Sequence, residues 1–309
     1  MSIELSVVIP VYNESEILSE SLKQVREIAD SMAIDYEVII VNDGSTDDTL
    51  AIARDSKIYW PELEVISLVS NRGHMAAITA GLHKSAGAWV VTIDADLQDP
   101  AFVISEMYEL AIKNNVDVVY GIREDRSSDK FLKRYTALIY YKVINRFANT
   151  TIIENAADCR LMSRVVVDAV NSLPESNKVY RILIPWLGFP SMEFKYQRNR
   201  RTAGNTHYKF KHMVKLAWDS LVNFSPAPLR IATYLGFFGV FVSLIAIVFV
   251  VFGAFSGKTI TGWPSLMTVV LFLGSLQLLV IGVLGEYISK IYTQIQNRPI
   301  YNLTEEQKQ

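Results

Sequence analysis

The segment Asp94-Ala95-Asp96-Leu97-Gln98-Asp99 follows directly on the apolar run Ala88–Ile93. Such a run reads as a buried parallel strand, and its end lies at the carboxyl edge of a sheet, where open α/β folds bind ligands. Asp94 and Asp96 there are hard oxygen donors, suited to Mg²⁺ or Mn²⁺ carrying a diphosphate. The neighbouring sequence offers none of the Cys/His set that zinc prefers. A solvated acidic turn before a helix, with Asp99 as N-cap and Pro100 as first helical residue, fits the same letters. His74, His83 and His212 show no ligand spacing among themselves and read as core or surface residues.

Carboxylates with such a task need a rigid frame behind them. Over residues 1–121, the strand-like runs Leu5–Val11, Tyr36–Val41, Leu63–Leu68, Ala88–Ile93 and Val116–Tyr120 alternate with the helix-like segments Ser15–Ser31, Thr46–Ser56, Gly73–Ser85 and Pro100–Lys113. This alternation predicts a mostly parallel sheet with helices on both faces. Polar residues gather just after the strands: Tyr12-Asn13-Glu14, Asn42-Asp43-Gly44-Ser45-Thr46-Asp47, Asn71-Arg72-Gly73 and then the acidic segment. No Gly-x-Gly-x-x-Gly turn follows the first strand and no Walker lysine loop occurs, which excludes the dinucleotide dehydrogenases and P-loop enzymes. A site of carboxylates and amides reading base and ribose, with a metal on the diphosphate, remains as the expectation for a nucleotide-sugar donor.

Composition narrows the partners. The 309 residues carry 30 basic and 32 acidic side chains, without the basic excess of a nucleic-acid binder. One cysteine, Cys159, excludes an intrachain disulfide framework and fits a reducing compartment. Met1–Tyr12 lacks a basic leader and is too short for a membrane span.

After Pro228 the chain turns apolar. Gly236–Phe255 is interrupted only by Ser243, and about 20 residues at 1.5 Å each match a bilayer core. Leu266–Leu284 is a second candidate span, and the short polar turn Ser256–Ser265 joins the two. Lys209, Lys211, Lys215 and Arg230 precede the pair, Lys290 and Arg298 follow it, and Lys258 alone lies between, so both termini are expected in the cytoplasm. Glu286 is then expected at the cytoplasmic interface. Tyr208–Phe224 has apolar residues at helical spacing and reads as an interfacial helix, with packing on a soluble domain as the alternative. Pro226 and Pro228 redirect the chain after it.

Several motifs together resemble the inverting glycosyltransferases of family 2. They are Val7-Val8-Ile9-Pro10-Val11-Tyr12-Asn13-Glu14, Asn42-Asp43-Gly44-Ser45-Thr46-Asp47-Asp48-Thr49, Asp94-Ala95-Asp96-Leu97-Gln98-Asp99-Pro100, Ala157-Asp158-Cys159-Arg160-Leu161-Met162, Arg198-x-x-Arg201-x-Ala203-Gly204 and Phe224-Ser225-Pro226-x-Pro228-Leu229-Arg230. With two terminal spans, the chain is similar to the polyprenyl-phosphate branch, the bacterial undecaprenyl-phosphate glucosyltransferases related to dolichyl-phosphate mannose and glucose synthases. The resemblance implies a GT-A, Rossmann-like α/β fold over residues 1–207. A juxtamembrane amphipathic helix over 208–228, a two-helix hairpin over 229–292 and a cytoplasmic tail over 293–309 follow.

It also implies roles. Pro10, Tyr12, Glu14 and Asp43 line the base and ribose pocket, with Asp43 accepting from an imide N–H of the base. Asp94 serves the ribose or the metal, Asp96 the metal, and Gln98 the same sphere. Asn71-Arg72-Gly73 opens a helix whose free N–H groups face the donor or are simply capped. Asp158 corresponds to the carboxylate near the acceptor, usually described as a base. A lipid monophosphate has a second pKa near 6 and attacks without losing a proton, so Asp158 also fits orientation, metal binding, a sugar hydroxyl, or an ion pair with Arg160. Arg198, Arg200 and Arg201 stand where donor and lipid phosphates meet, Arg201 foremost, and guanidinium suits bidentate pairing; a solvated basic segment held by anionic lipid is the alternative, with equal weight for Arg200. Asn205-Thr206-His207 departs from the acidic residue, serine and lysine usual there. Lys133 and Arg134 open an amphipathic segment that could touch the acceptor or form an ordinary domain helix.

The expected activity is transfer of one sugar, first choice glucose from UDP-glucose, to undecaprenyl phosphate with inversion, for cell-envelope glycan modification. GDP-mannose, UDP-N-acetylglucosamine and UDP-aminosugars are alternative donors. Mg²⁺ or Mn²⁺ is the expected cofactor, the plasma membrane the location with a cytoplasmic catalytic domain, and homo-oligomers through helix packing are compatible with the hairpin. A processive synthase would add a Gln-x-x-Arg-Trp motif and more spans, and neither is present. From another class, a silent nucleotide-binding membrane subunit would have little reason to keep Asp43, Asp94, Asp96, Asp158 and Arg201 together.

Overall fold

The computed structural model describes residues 3–123, 153, 156–175, 178–197, 229, 232–239, 241–242, 244–245, 248 and 262–304. Strands β1 (Leu5–Val11), β2 (Tyr36–Asn42), β3 (Leu63–Ser67), β4 (Trp89–Thr92), β5 (Val118–Arg123), β6 (Ala156–Ser163) and β7 (Ser191–Tyr196) form one sheet in the order β3-β2-β1-β4-β6-β5-β7. The pairs β1–β2, β1–β4, β2–β3 and β5–β7 are parallel. β6 runs antiparallel between β4 and β5. Helices α1 (Leu18–Ser31), α2 (Thr49–Ile58), α3 (His74–Lys84), α4 (Val103–Asn114), α5 (Arg164–Ser172) and α6 (Tyr180–Leu187) accompany the sheet. This is the α/β, mostly parallel arrangement that the alternating runs predict.

Strand periodicity divides the core between two faces. Leu5, Val7, Ile9 and Val11 of β1 pack in one cluster with Leu18, Leu22 and Val25 of α1 and Val103, Ile104 and Met107 of α4. Val8, Ile39 and Val41 belong to the other, with Ala77 and Ile78 of α3, Val166, Val167 and Val170 of α5, and Tyr180 and Ile184 of α6. Burying each of the larger aliphatic side chains contributes about 1.5–3 kcal/mol, so the sheet forms a stiff floor under its own loops.

Two strands lie beyond the five predicted. In β6, Ala157, Cys159 and Leu161 enter the first cluster, while Asp158 and Arg160 occupy the alternate face, so its apolar run is broken in the sequence. β7 is an edge strand with Ser191, Glu193 and Lys195 exposed and Tyr196 buried. Three helix starts also move by three residues, and α1 begins at Leu18 rather than Ser15. α2 begins at Thr49 rather than Thr46, with the Thr49 N–H donating to Asp47 Oδ1 at 3.1 Å. α4 begins at Val103, so Asp99 and Pro100 are neither its N-cap nor its first residue.

The chain divides into two compact units, one of residues 1–141, 150–206 and 298–309, the other of 142–149 and 207–297. In the second, α7 (Trp263–Ile295) contains Phe272–Ile295, a stretch of 24 residues that is long and apolar enough to cross a membrane. Among the described residues it is the one such helix. Much of the expected span Gly236–Phe255 and all of Tyr208–Phe224 lie outside the described residues, as do Lys133, Arg134, Arg198, Arg200 and Arg201.

Candidate active site

The carboxyl edges of β1 and β2 carry loops that hold each other. The Asn13 N–H donates to Ser45 Oγ at 3.0 Å, and the Thr46 N–H donates to Asn13 Oδ1 at 2.9 Å. The Glu14 N–H donates to Thr49 Oγ1 at 2.8 Å. Pro10 is buried beneath these loops, Glu14 is half-buried, and Tyr12 is exposed, its ring free to meet a ligand.

The β2 loop also leans on the loop after β3. Gly44 has φ +68°, and a Cβ there would come within 2.6 Å of the Asn71 nitrogen, so only glycine allows this approach. Asp43 is 3% exposed, and its Oδ1 and Oδ2 accept from the Arg72 and Gly73 N–H groups at 2.7 and 2.8 Å. Its visible work is thus to fix the entry to α3, and a carboxylate with about four acceptor positions retains capacity for a further donor.

Register brings the candidate site residues together. β4 and β6 pair from Trp89↔Ser163 to Thr92↔Arg160, and two more steps set Asp94 opposite Asp158. The Thr92 hydroxyl, donating to the Asp158 carbonyl at 2.7 Å, locks that crossing. His74, first residue of α3, places Nε2 at 3.6 Å from Asp94 Oδ1 and 3.8 Å from Asp158 Oδ2. A core or surface reading of His74 is therefore corrected: the topology brings it between two carboxylates. Arg160 Nη2 lies 3.0 Å and Arg181 Nη2 3.4 Å from Asp158 Oδ1. Arg181, on α6, has no signal in the sequence that marks it.

These neighbours divide the two carboxylates electrostatically. Burial pushes Asp94 up to about 6; His74 opposes this, and the charges of Asp158, Asp96 and Asp99 add to it. Burial also pushes Asp158 up, yet Arg160, Arg181, His74 and Arg123 together hold it below the usual carboxylate value. Asp158 is therefore ionised at neutral pH, whereas Asp94 sits in a crowd of negative charge that a dication would relieve.

The acidic loop is itself constrained. The Gln98 N–H donates to Asp96 Oδ1 at 3.1 Å, and Leu97 between them has φ +57°, a conformation costly for a side chain with a Cβ. Gln98 is buried. The far end is anchored by Asp99, whose carboxylate accepts from Arg123 Nε and Nη2 at 3.2 and 2.9 Å and from the Tyr196 hydroxyl at 2.7 Å. Asp99, read as a cap, is instead a fully buried post tying the loop to β5 and β7.

The donor set fits a hard dication. His74, Asp94 and Asp158 each offer a ligand atom within 4.8 Å of the others, and Asp96 lies two residues from Asp94. Two guanidiniums already claim Asp158, which leaves Asp94, with Asp96, as the better oxygen donor. Because metal binds the ionised form, apparent Mn²⁺ affinity should be flat above pH 7 and fall about tenfold per pH unit below about 6. Electron paramagnetic titration of free Mn²⁺ against pH measures this, and Asp94→Asn should flatten the acid limb.

Comparison with known proteins extends the reading. A family model described as glycosyl transferase family 2 matches residues 6–170, and one described as GtrB C-terminal hairpin matches residues 227–291. The chain is 38% identical to the uncharacterized glycosyltransferase YkcC of Bacillus subtilis, over 97% of this chain and 93% of that one. It is likewise 38% identical to the SfII prophage-derived bactoprenol glucosyl transferase of Shigella flexneri, over 96% of each. Among solved structures, glucosyl-3-phosphoglycerate synthase from Mycobacterium tuberculosis, in complex with Mn²⁺, UDP and phosphoglyceric acid, superimposes with TM-score 0.53 at 18% identity, covering 71% of this chain and 76% of that one. Mannosyltransferase PcManGT from Pyrobaculum calidifontis, in complex with GDP-Man and Mn²⁺, gives TM-score 0.50 at 17% identity, covering 93% and 88%. The sheet thus has the GT-A fold, and the chain belongs to glycosyl transferase family 2.

Proposed function

We propose that this glycosyltransferase moves one glucosyl residue from UDP-glucose to undecaprenyl phosphate, inverting the anomeric carbon, at the cytoplasmic face of the plasma membrane. The observation that carries the reaction class is the meeting of Asp94 and Asp158 at the carboxyl edge, one crowded by negative charge and the other held ionised by guanidiniums. Sugar and acceptor rest on the bactoprenol glucosyl transferases of Shigella flexneri and phage SfV, 37–38% identical over 96–99% of this chain. A two-span anchor rests on the match to a C-terminal hairpin over residues 227–291, with α7 as its second arm.

In this reading the base and ribose lie along Pro10, Tyr12, Glu14 and Asp43, and Asp94, Asp96 and Gln98 hold Mg²⁺ or Mn²⁺. The bound metal would supply charge neutralisation to the departing diphosphate. Arg201, with Arg198 and Arg200, stabilises the same charge. Lys133 and Arg134 receive the acceptor phosphate. Asp158, already an anion, orients the acceptor rather than taking a proton from it, because the acceptor dianion is itself the nucleophile.

The test is transfer of radiolabelled sugar by purified protein in detergent, with undecaprenyl phosphate, Mg²⁺ or Mn²⁺, and UDP-glucose, UDP-N-acetylglucosamine, a UDP-aminosugar and GDP-mannose in parallel. Metal-dependent label in a lipid monophosphate product from UDP-glucose is the expected result, and Asp96→Asn should lower it about 10²-fold or more. Label from another donor alone would reassign the sugar. UDP binding without transfer from any donor would instead make the chain a silent subunit.

A further inference from the structure

The outer edge of β3 is covered by the chain's own C-terminal tail. Leu68 and Leu303 form an antiparallel bridge. The Val69 N–H donates to the Asn302 carbonyl at 2.9 Å, and the Thr304 N–H donates to the Ser67 carbonyl at 3.1 Å. Tyr301 and Leu303 pack against the cluster that contains Ile66, Leu68, Ile78 and Leu82, and the Tyr301 hydroxyl lies 3.0 Å from His83 Nδ1. Residues 301–304 therefore act as a short added strand on an edge that would otherwise offer unpaired N–H and C=O groups.

What this strand grips is the base of the donor loops. The Leu68 N–H donates to the Asn42 carbonyl at 2.9 Å, and Asn42 Nδ2 donates to Ser67 Oγ at 2.8 Å. One residue beyond Val69, the Ser70–Asn71 backbone abuts Gly44, and Arg72 and Gly73 then occupy both oxygens of Asp43. The tail thus holds Ser67–Val69 on one side while Asn42–Gly44 lean on the same segment from the other.

We propose that residues 301–304 position the donor pocket: their pairing with Ser67–Val69 fixes the loop through Gly73, and with it Asp43 and Gly44, in the form that receives the nucleoside diphosphate. This rests on the nucleotide reading given under Proposed function. The tail touches none of the reacting groups, so its loss costs donor affinity rather than turnover.

The experiment uses the full chain in detergent with UDP and Mn²⁺ as calorimetric probe, beside initial rates with varied UDP-glucose. Thr304→Pro removes the N–H that the Ser67 carbonyl accepts, whereas Thr304→Ala retains it and deletes a buried hydroxyl that has no hydrogen-bond partner among the described residues. If the competent form falls to a tenth of the population, Thr304→Pro and a chain ending at Pro299 weaken UDP binding about tenfold and raise KM for donor alike, with kcat within about twofold. Thr304→Ala stays at the native value, and a synthetic peptide of residues 298–309 restores affinity to the shortened chain. Equal UDP affinity in Thr304→Pro, Thr304→Ala and the native chain would overturn the tail's role, and that pair decides the matter if the shortened chain fails to melt cooperatively. A native chain with no affinity for UDP would overturn the nucleotide reading itself, and the proposal with it.

Discussion

Asp158→Asn should lower kcat about 10²-fold while leaving the acid limb of the pH profile where it is, and raising the pH should not restore the rate. A general base with an ordinary titration would behave otherwise, because the native enzyme would lose activity as the base took up its proton. Asp158 has no such transition near neutrality: Arg160, Arg181, His74 and Arg123 hold it below the usual carboxylate value against the upward push of burial. Its depressed pKa also means that its ion pairs stabilise the fold above the ordinary carboxylate pKa and lose that contribution only as pH falls through the lower, native value. Asp94 and the acceptor phosphate are then expected to contribute a limb near pH 6.

The same substitution leaves a mark on stability. Arg160 is 2% exposed, and its Nη1 is a buried atom without a hydrogen-bond partner among the described residues, so Asp158 is the counter-charge that makes this guanidinium tolerable. An asparagine keeps the shape but removes the charge, and an uncompensated buried cation typically costs about 3–5 kcal/mol. Asp158→Glu separates the two effects: it retains the charge for Arg160 and displaces the carboxylate, so stability should be largely kept while kcat remains low. Chemical denaturation beside initial-rate measurement across pH 5–9 reads both. A large loss in Asp158→Asn that returns at high pH would sink the orienting role and reinstate a base.

Legibility in the sequence followed how local the signal was. β1 to β5 are visible because buried parallel strands are short continuous apolar runs, and the polar residues after the first four mark the carboxyl edge. β6 is hidden because Asp158 and Arg160 occupy one of its faces, and an ion pair inside a central strand breaks the very pattern by which strands are found. His74 carries no spacing to another ligand; it matters only because α3 starts where β4 ends and β6 begins, which is a property of the topology. Asp99 before a proline has the letters of a helix cap, and only the parallel pairing of β5 with β7 reveals that Arg123 and Tyr196 converge on it. The tail on β3 is a contact across more than two hundred residues, beyond any local pattern.

Asp99→Ala should be the most destabilising single change in the acidic loop. Its carboxylate is fully buried and satisfied by Arg123 and the Tyr196 hydroxyl, and burial plus the nearby charges of Cys159 and Asp99 raise the Tyr196 phenol far above its usual pKa. Removing the anion strands a largely buried guanidinium, at a cost of about 3–5 kcal/mol by the general experience of broken buried pairs. Activity should fall with it, because Asp99 is the post that ends the turn begun at Asp96, and Leu97 is held there in a left-handed conformation that relaxes once the anchor is gone. The double variant Asp99→Leu with Arg123→Met distinguishes stability from positioning. Replacing both partners by apolar side chains of similar bulk removes the stranded charge, so the melting midpoint should recover most of the loss. Mn²⁺ affinity and transfer should stay low, since no apolar contact reproduces the three directed hydrogen bonds that hold the end of this loop in place. Recovery of transfer together with stability would show instead that the network only supports the fold.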